Sequence, residues 1–322
     1  MRIRVEFSHA VNLCELGISD DRRDLSALIE SVWFEHEVGW HPGHYYSPIP
    51  DAADIQRRRR AIFREEPPAE LPEIDLDLAT QLSYIQSLHA YADVDLPMKF
   101  DGVHRYYSEN DFYSYMDALI LAATMRKARP RRIVEIGSGF SSAIMLDVSE
   151  ADFSSDIQFT FIEPNAERLN ELLKPADRHL VTIFESLVQD VDADIFRILG
   201  PNDILFIDSS HVSKVGSDVN YIFFDVLPVL RPGVLIHFHD IFYPFEYPAA
   251  WVLEQGRYWN ENYMMRAFLA NNSRYLVRLF AHYVGEVRPQ ALFELAGRTV
   301  HPGCSLWIEK TAPRQQQDSA IG

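Results

Sequence analysis

Five titratable residues stand at or just past the ends of short apolar runs in the second half of the chain. Glu163 closes the run Gln158–Ile162, Asp208 closes Ile204–Ile207, His211 follows it, and His239-Asp240 closes Val234–Phe238. An imidazole changes charge near neutral pH, so His211 is suited to take a proton from a substrate, with Asp208 orienting it or binding the substrate. His237 and His239 alternate on one strand face. With Asp208 and Asp240 they offer nitrogen and oxygen ligands of a kind that suits Zn²⁺ or Mn²⁺, although hydrogen-bonded histidines without metal fit the same pattern. Ser209-Ser-His211 does not read as a hydrolase site, because it lacks the G-x-S-x-G elbow and adjacent residues cannot form a triad.

A second constellation lies upstream, in Arg131-Arg-Ile-Val-Glu-Ile-Gly-Ser-Gly-Phe-Ser-Ser142. Ile133, Val134 and Ile136 predict a short buried strand, Gly137-Ser-Gly139 a tight turn, and Ser141 to Val148 the start of a helix. Glycine is needed where the backbone turns sharply and approaches a ligand, and the helix N-terminus then offers unpaired N–H groups. Position 142 is Ser, so the third glycine of a dinucleotide fingerprint is missing.

The elements that must position these residues alternate regularly. Strands are predicted at Gln158–Ile162, Val181–Phe184, Ile204–Ile207 and Val234–Phe238. Helices are predicted at Asn165–Leu173, Asp192–Ile198 and Tyr221–Val229, and another, with Asp111 as its cap, leads through Tyr115 and Leu119 toward Pro130. Such alternation predicts an α/β fold, a Rossmann-like doubly wound parallel sheet, with ligands bound beyond the carboxyl ends of its strands. A helix over Tyr258–Asn271 and two late strands, Tyr275–Val284 and Ser305–Glu309, complete it. Residues 1–105 lack this rhythm and are expected to form a mostly helical and irregular extension, with helices over Asp24–Val38, Asp54–Arg64 and Leu76–Tyr91. Residues 39–50 are dense in Pro, Gly, His and aromatics, which suits either a strap or a lid over a substrate. The expected division is therefore residues 1–105 as extension, 106–312 as the catalytic domain and 313–322 as a polar tail.

Glutamate ahead of G-x-G resembles the first motif of the class I S-adenosylmethionine-dependent methyltransferases, in which that acid helps hold the methionine end of the cofactor. The resemblance makes Glu135, Gly137, Ser138, Gly139 and Ser142 cofactor residues. It adds Glu163 at the ribose hydroxyls, Gln189 and Asp190 in the adenine-contacting stretch, Asp208 in the fourth-strand motif, and Asn110 near the cofactor mouth. The run from Tyr106 to Pro248 is similar to the bacterial branch with sugar and macrolide O-methyltransferases, and Tyr258–Leu269 looks like a late helix of uncharacterised bacterial members. Residues 1–105 are not covered. In the catechol branch an Asp and an Asp-Asn pair hold Mg²⁺, and a Lys takes the substrate proton. Asp208 fits the first place, His239-Asp240 stands where the pair would be, and His211 replaces the Lys. Histidine is a poor ligand for hard Mg²⁺, so the departure favours a metal-free reaction while leaving a metal at Asp208, His239 and Asp240 open. Tyr45, Tyr46, Tyr106, Tyr107 and Asn110 are candidate walls of an acceptor pocket.

The resemblance implies S-adenosyl-L-methionine as cofactor and a small-molecule hydroxyl, sugar or polyketide-like, as acceptor, and it leaves self-association into a homo-oligomer open. Two other readings stay open. An NAD(P)-dependent oxidoreductase is disfavoured by Ser142 and Glu135, and a cofactor-binding protein without catalysis has no distinguishing sequence feature. Composition narrows the partners. Among 322 residues, 47 are Asp or Glu against 30 Lys or Arg, a net charge of −17. A nucleic-acid substrate needs a basic face, so that class is disfavoured. The absence of an apolar run long enough to span a bilayer, and of an apolar leader, predicts no membrane partner and a cytoplasmic location. Cys14 and Cys304 are too few and too distant for a disulfide framework or a zinc knuckle and read as packing residues.

Overall fold

The structure, a computed structural model, describes residues 2–10, 27–35, 39–68 and 70–312. The chain divides into two compact units, Met1–Arg59 and Arg60–Gly322. In the first, β1 (Arg2–Ala10) pairs antiparallel with β2 (Ala27–Glu35), with Arg2 opposite Glu35 and Val5 opposite Val32. This corrects the helix expected over 24–38, whose ends lie outside the described residues. Ile29, Val32, Trp33 and Phe34 are β-branched or aromatic, and β1 supplies a partner edge that a helical periodicity does not anticipate. A short helix, Ala52–Arg57, follows, its N-terminus capped by Asp51, which accepts from Ala53 N at 2.8 Å. Within the loop before it, Trp40 stacks on His44 at 4.1 Å, and Tyr45 and Tyr46 are exposed. Cys14 and the tail 313–322 lie outside the described residues.

The second unit is built on β3 (Arg132–Ile136), β4 (Gln158–Ile162), β5 (Val181–Phe184), β6 (Ile204–Ile207), β7 (Leu235–Phe238), β8 (Tyr275–Phe280) and β9 (Leu306–Lys310). Their order in the sheet is β5-β4-β3-β6-β7-β9-β8. The first five run parallel; β9 pairs antiparallel with both β7 and β8. The central parallel strands β3, β6 and β7 are short apolar runs because helices cover both faces, whereas the edge strand β5 is only partly buried. Each fully buried aliphatic contributes roughly 1.5–3 kcal/mol. In β6 all of Ile204–Ile207 is buried. The expected second late strand is β9. The first, predicted to reach Val284, stops at Phe280 and turns into the helix Ala281–Val287.

Two carboxylates hold the frame. Buried Asp203, just before β6, accepts from the backbone N of Arg131 and Arg132 at 3.0 and 2.9 Å, locking the start of β3 beside β6. Asp147, on the helix Phe140–Asp152, accepts from the backbone N of Arg105 and Tyr106 at 2.9 Å. The buried Arg105 guanidinium also donates to Asp177 at 2.8 Å and to Glu150 at 2.7 Å. These contacts seat the segment 106–114 above the glycine turn. The helix entering β3 is Tyr115–Ala128, capped by Ser114 rather than by the expected Asp111. The order of strands reverses between β3 and β6, which opens a crevice at their carboxyl ends. No described helix is long and apolar enough to cross a membrane.

Candidate cofactor and acceptor site

Gly137 follows β3 with φ +79°, and a Cβ there would overlap the carbonyl oxygen of Asp208. The overlap arises because Asp208 N donates to Ile136 O at 2.8 Å, so the two strand ends run side by side. Glu135 is fully buried under the turn. It accepts from Ser141 Oγ at 2.6 Å and from Ser142 Oγ, while Ser142 Oγ accepts from Gly139 N at 3.0 Å. Burial raises the Glu135 pKa to about 8, although the serine hydroxyls oppose this. Glu163, at the end of β4, accepts from Ser138 N at 3.0 Å and Asn165 N at 2.9 Å, which ties it to the same turn.

Two cavities adjoin at Asp208. One, of about 500 Å³, is lined by Gly137, Glu163, Gln189 and Ser209 among others. The other, of about 900 Å³, takes in Ser138, Gly139, Asn110, His211 and His239. Gln189 Nε2 donates to Gly216 O at 2.9 Å while its Oε1 is buried without a partner, and Ser138 Oγ is buried without a partner too. Buried polar atoms of this kind are costly unless a ligand supplies the missing bond. The two cavities thus leave unpaired polar atoms available to a bound ligand.

The other expected cofactor residues are placed differently. Glu135 and Ser142 lie beneath the turn and line neither cavity. Asp190 is exposed and lines neither. Asn110 lines the larger cavity, but its side chain is spent on its own loop, donating to Tyr107 O at 2.6 Å and accepting from Tyr113 N at 2.7 Å. Tyr106 is a core residue whose hydroxyl donates to Tyr113 O at 3.0 Å. Tyr107 packs edge-on against Phe140.

His211 sits in the left-handed region at φ +60°, as does Asp240 at +56°, conformations that cost energy for a non-glycine residue. Its ring is held on three sides. Nδ1 lies 2.8 Å from Glu261 Oε2. Nε2 lies 3.4 Å from Asp208 Oδ1 and 3.7 Å from Asp240 Oδ2. Trp259 packs on the ring at 4.5 Å. The backbone also grips the loop, since Asn260 N and Glu261 N donate to His211 O at 3.0 and 3.1 Å. Burial alone would lower the His211 pKa, but the carboxylates of Asp208 and Glu261 raise it well above the ordinary value. Burial would raise the Asp208 pKa, yet the histidines beside it hold it below the usual range.

Glu261, buried in the first turn of the helix Glu261–Leu269, did not figure in the sequence reading. It also accepts from Ser209 Oγ at 2.9 Å. The signal available was an acid between two asparagines and two aromatics, Trp259-Asn-Glu-Asn-Tyr263, at a helix start. Asp117 and Cys304 were missed as well. Among the described residues, the histidine, cysteine and carboxylate donors that converge are Asp117, His239 and Cys304. Asp117 already accepts from Cys304 N at 3.0 Å, Ser114 Oγ at 2.6 Å and Ser305 Oγ, which leaves it little capacity for an ion. Cys304 is thus a cavity residue, 3.1 Å from Asp240 Oδ1, rather than simple packing. His237 stacks on Phe206 at 4.0 Å inside the core, and burial holds its pKa well below normal.

A family profile described as a methyltransferase domain matches residues 134–241, which contain the glycine turn, Glu163 and the His211 loop. An uncharacterised protein from Archaeoglobus fulgidus is 37% identical over 182 residues, 54% of this chain and 80% of that protein. The chain belongs to a methyltransferase-domain family. Solved structures similar to this methyltransferase include the O-methyltransferase TomG of Streptomyces achromogenes, in complex with S-adenosylmethionine. It is 18% identical, with a TM-score of 0.40, over 80% of this chain and 96% of that one. Another is the Podospora anserina methyltransferase PaMTH1, bound to S-adenosylhomocysteine. It is 14% identical, with a TM-score of 0.42, over 81% and 96% of the two chains.

Proposed function

We propose that the protein methylates a hydroxyl of a small molecule, sugar or polyketide-like, from S-adenosylmethionine. The observation that carries this reading is His211, held by Glu261 in a cavity of about 900 Å³ that opens beside the glycine turn. S-adenosylmethionine, when bound, supplies a methyl group already activated on a sulfonium. The chain must therefore align the acceptor and remove its proton. Glu163 and Gln189 would hold the nucleoside end, Ser138 and the turn the amino-acid end. Glu261 fixes the orientation of the imidazole through Nδ1, which leaves Nε2 to receive the acceptor proton. Asp208 and Asp240 then stabilise the imidazolium. The same carboxylates make the neutral imidazole a stronger base and confine it to higher pH.

Calorimetric titration with S-adenosylhomocysteine and, separately, with NAD tests the cofactor. Transfer of labelled methyl to a panel of hydroxylated compounds tests the reaction. Binding of NAD in place of S-adenosylhomocysteine would overturn the reading.

A further inference from the structure

We propose that the acceptor is anionic, and that Arg257 holds its carboxylate or phosphate at the indole wall of the larger cavity. The assignment rests on the methyl-transfer reading and deepens it. The Arg257 guanidinium lies over Trp251 at 4.4 Å and over Trp259 at 4.9 Å from the ring centroids. The two indoles meet edge to face at 5.6 Å. Contact with both rings holds the guanidinium without using its N–H donors. Among the described residues no carboxylate lies within ion-pair distance of it. Acids are abundant in this chain: Arg126 and Arg278 each pair with one, and Arg105 with three. A guanidinium held against two indoles, with no carboxylate partner among the described residues, is available for bidentate contact with a planar or tetrahedral anion.

The position matters as much as the charge. Trp259 touches Arg257 and also packs on His211. An acceptor lying along that indole would present its anionic group to Arg257 and a hydroxyl to His211. The second guanidinium in the cavity, Arg168, lies over Phe112 at 3.7 Å and beside Gly139, on the cofactor side. It is therefore left out of the assignment.

The test uses the full-length protein, wild type and Arg257→Gln. S-adenosylhomocysteine affinity is measured first. The saturated proteins are then titrated at constant ionic strength with glucuronate, glucose 6-phosphate and glucose, which separate carboxylate, phosphate and neutral ring. We expect at least one anion to bind roughly tenfold to a hundredfold tighter than glucose. Arg257→Gln should abolish that preference while S-adenosylhomocysteine affinity stays the same. Arg257→Lys, which keeps the charge without the planar fork, should retain part of the preference and serves if the Gln variant does not fold. Equal binding of all three probes, a preference that survives in Arg257→Gln, or one undiminished in Arg257→Lys, overturns the acceptor assignment alone. A wild type that fails to bind S-adenosylhomocysteine sinks the methyl-transfer reading, and this assignment with it.

Discussion

Glu261 Oε2 and His211 Nδ1 lie 2.8 Å apart although the residues are 50 positions distant in the chain. The pair joins the loop after β6 to a helix outside the region matched by the family profile. It makes the pH dependence of the reaction specific. The folded pKa of His211 is raised, so the stability gained from its cation is complete below the unfolded value and is lost as pH rises through the folded one. The neutral, proton-accepting form predominates only above that folded value. The rate should therefore rise with pH through a value above 6.5. In Glu261→Gln the rising limb should move to lower pH and the plateau should fall. His211→Ala should cost roughly 10²–10⁴ in rate. A Glu261→Gln profile superimposable on the wild type would remove Glu261 from the mechanism.

Metal dependence separates two ways of lowering the acceptor's pKa. An ion at Asp208 and Asp240 would itself promote loss of the acceptor proton, and His211 would matter less. The ion pairs of both carboxylates with His211 lead us to expect full turnover in EDTA. Loss of turnover in EDTA, restored by Mg²⁺ or Mn²⁺, would reassign Asp208 and Asp240 as ligands.

The cofactor side can be tested without knowing the acceptor. Glu163→Ala should weaken S-adenosylhomocysteine binding by about 1–3 kcal/mol, because it removes charge-assisted hydrogen bonds. Gly137→Val should abolish binding, since its side chain would overlap the backbone of Asp208. Calorimetry that finds both affinities unchanged would place the cofactor elsewhere.

Glu135 predicts a stability slope. Its folded pKa of about 8 exceeds the ordinary 4.5, so its contribution is complete below 4.5 and is lost as pH rises toward 8. Across that window the ligand-free protein should lose up to ~1.4 kcal/mol per pH unit from this group. Glu135→Gln should flatten the fall of Tm between pH 5 and 8. An identical fall in both proteins would mean that Glu135 is ionised in the folded state.

Much of the sheet was legible. The observed bounds of β4, β5 and β6 coincide with the apolar runs read from sequence, most simply for β6, which is buried throughout and carries no competing polar pattern. The glycine turn and the residues ending each strand followed from the same alternation. What failed to show was anything decided by distant packing. Residues 27–35 carry both a helical stripe and β-branched side chains, and the antiparallel partner at 2–10 decided between them. Leu276 and Leu279 read on toward Val284, whereas the chain turns into a helix after Phe280. At the site, Asp117 and Cys304 have no local signature and Glu261 only that of an acid among asparagines and aromatics at a helix start, since each acquires its role only when remote segments meet.

The sheet order has a consequence for synthesis. β9 lies between β7 and β8, so β8, although made earlier, has no neighbour to pair with until β9 has left the ribosome. Gly303, Cys304 and Ser305 arrive with β9, and they close the cavity wall around Asp117. The half of the crevice between β3 and β6 can form from the nascent chain well before that point. A message truncated ahead of residue 306 would therefore yield a chain with that half in place, an open edge at β7 and no finished acceptor wall.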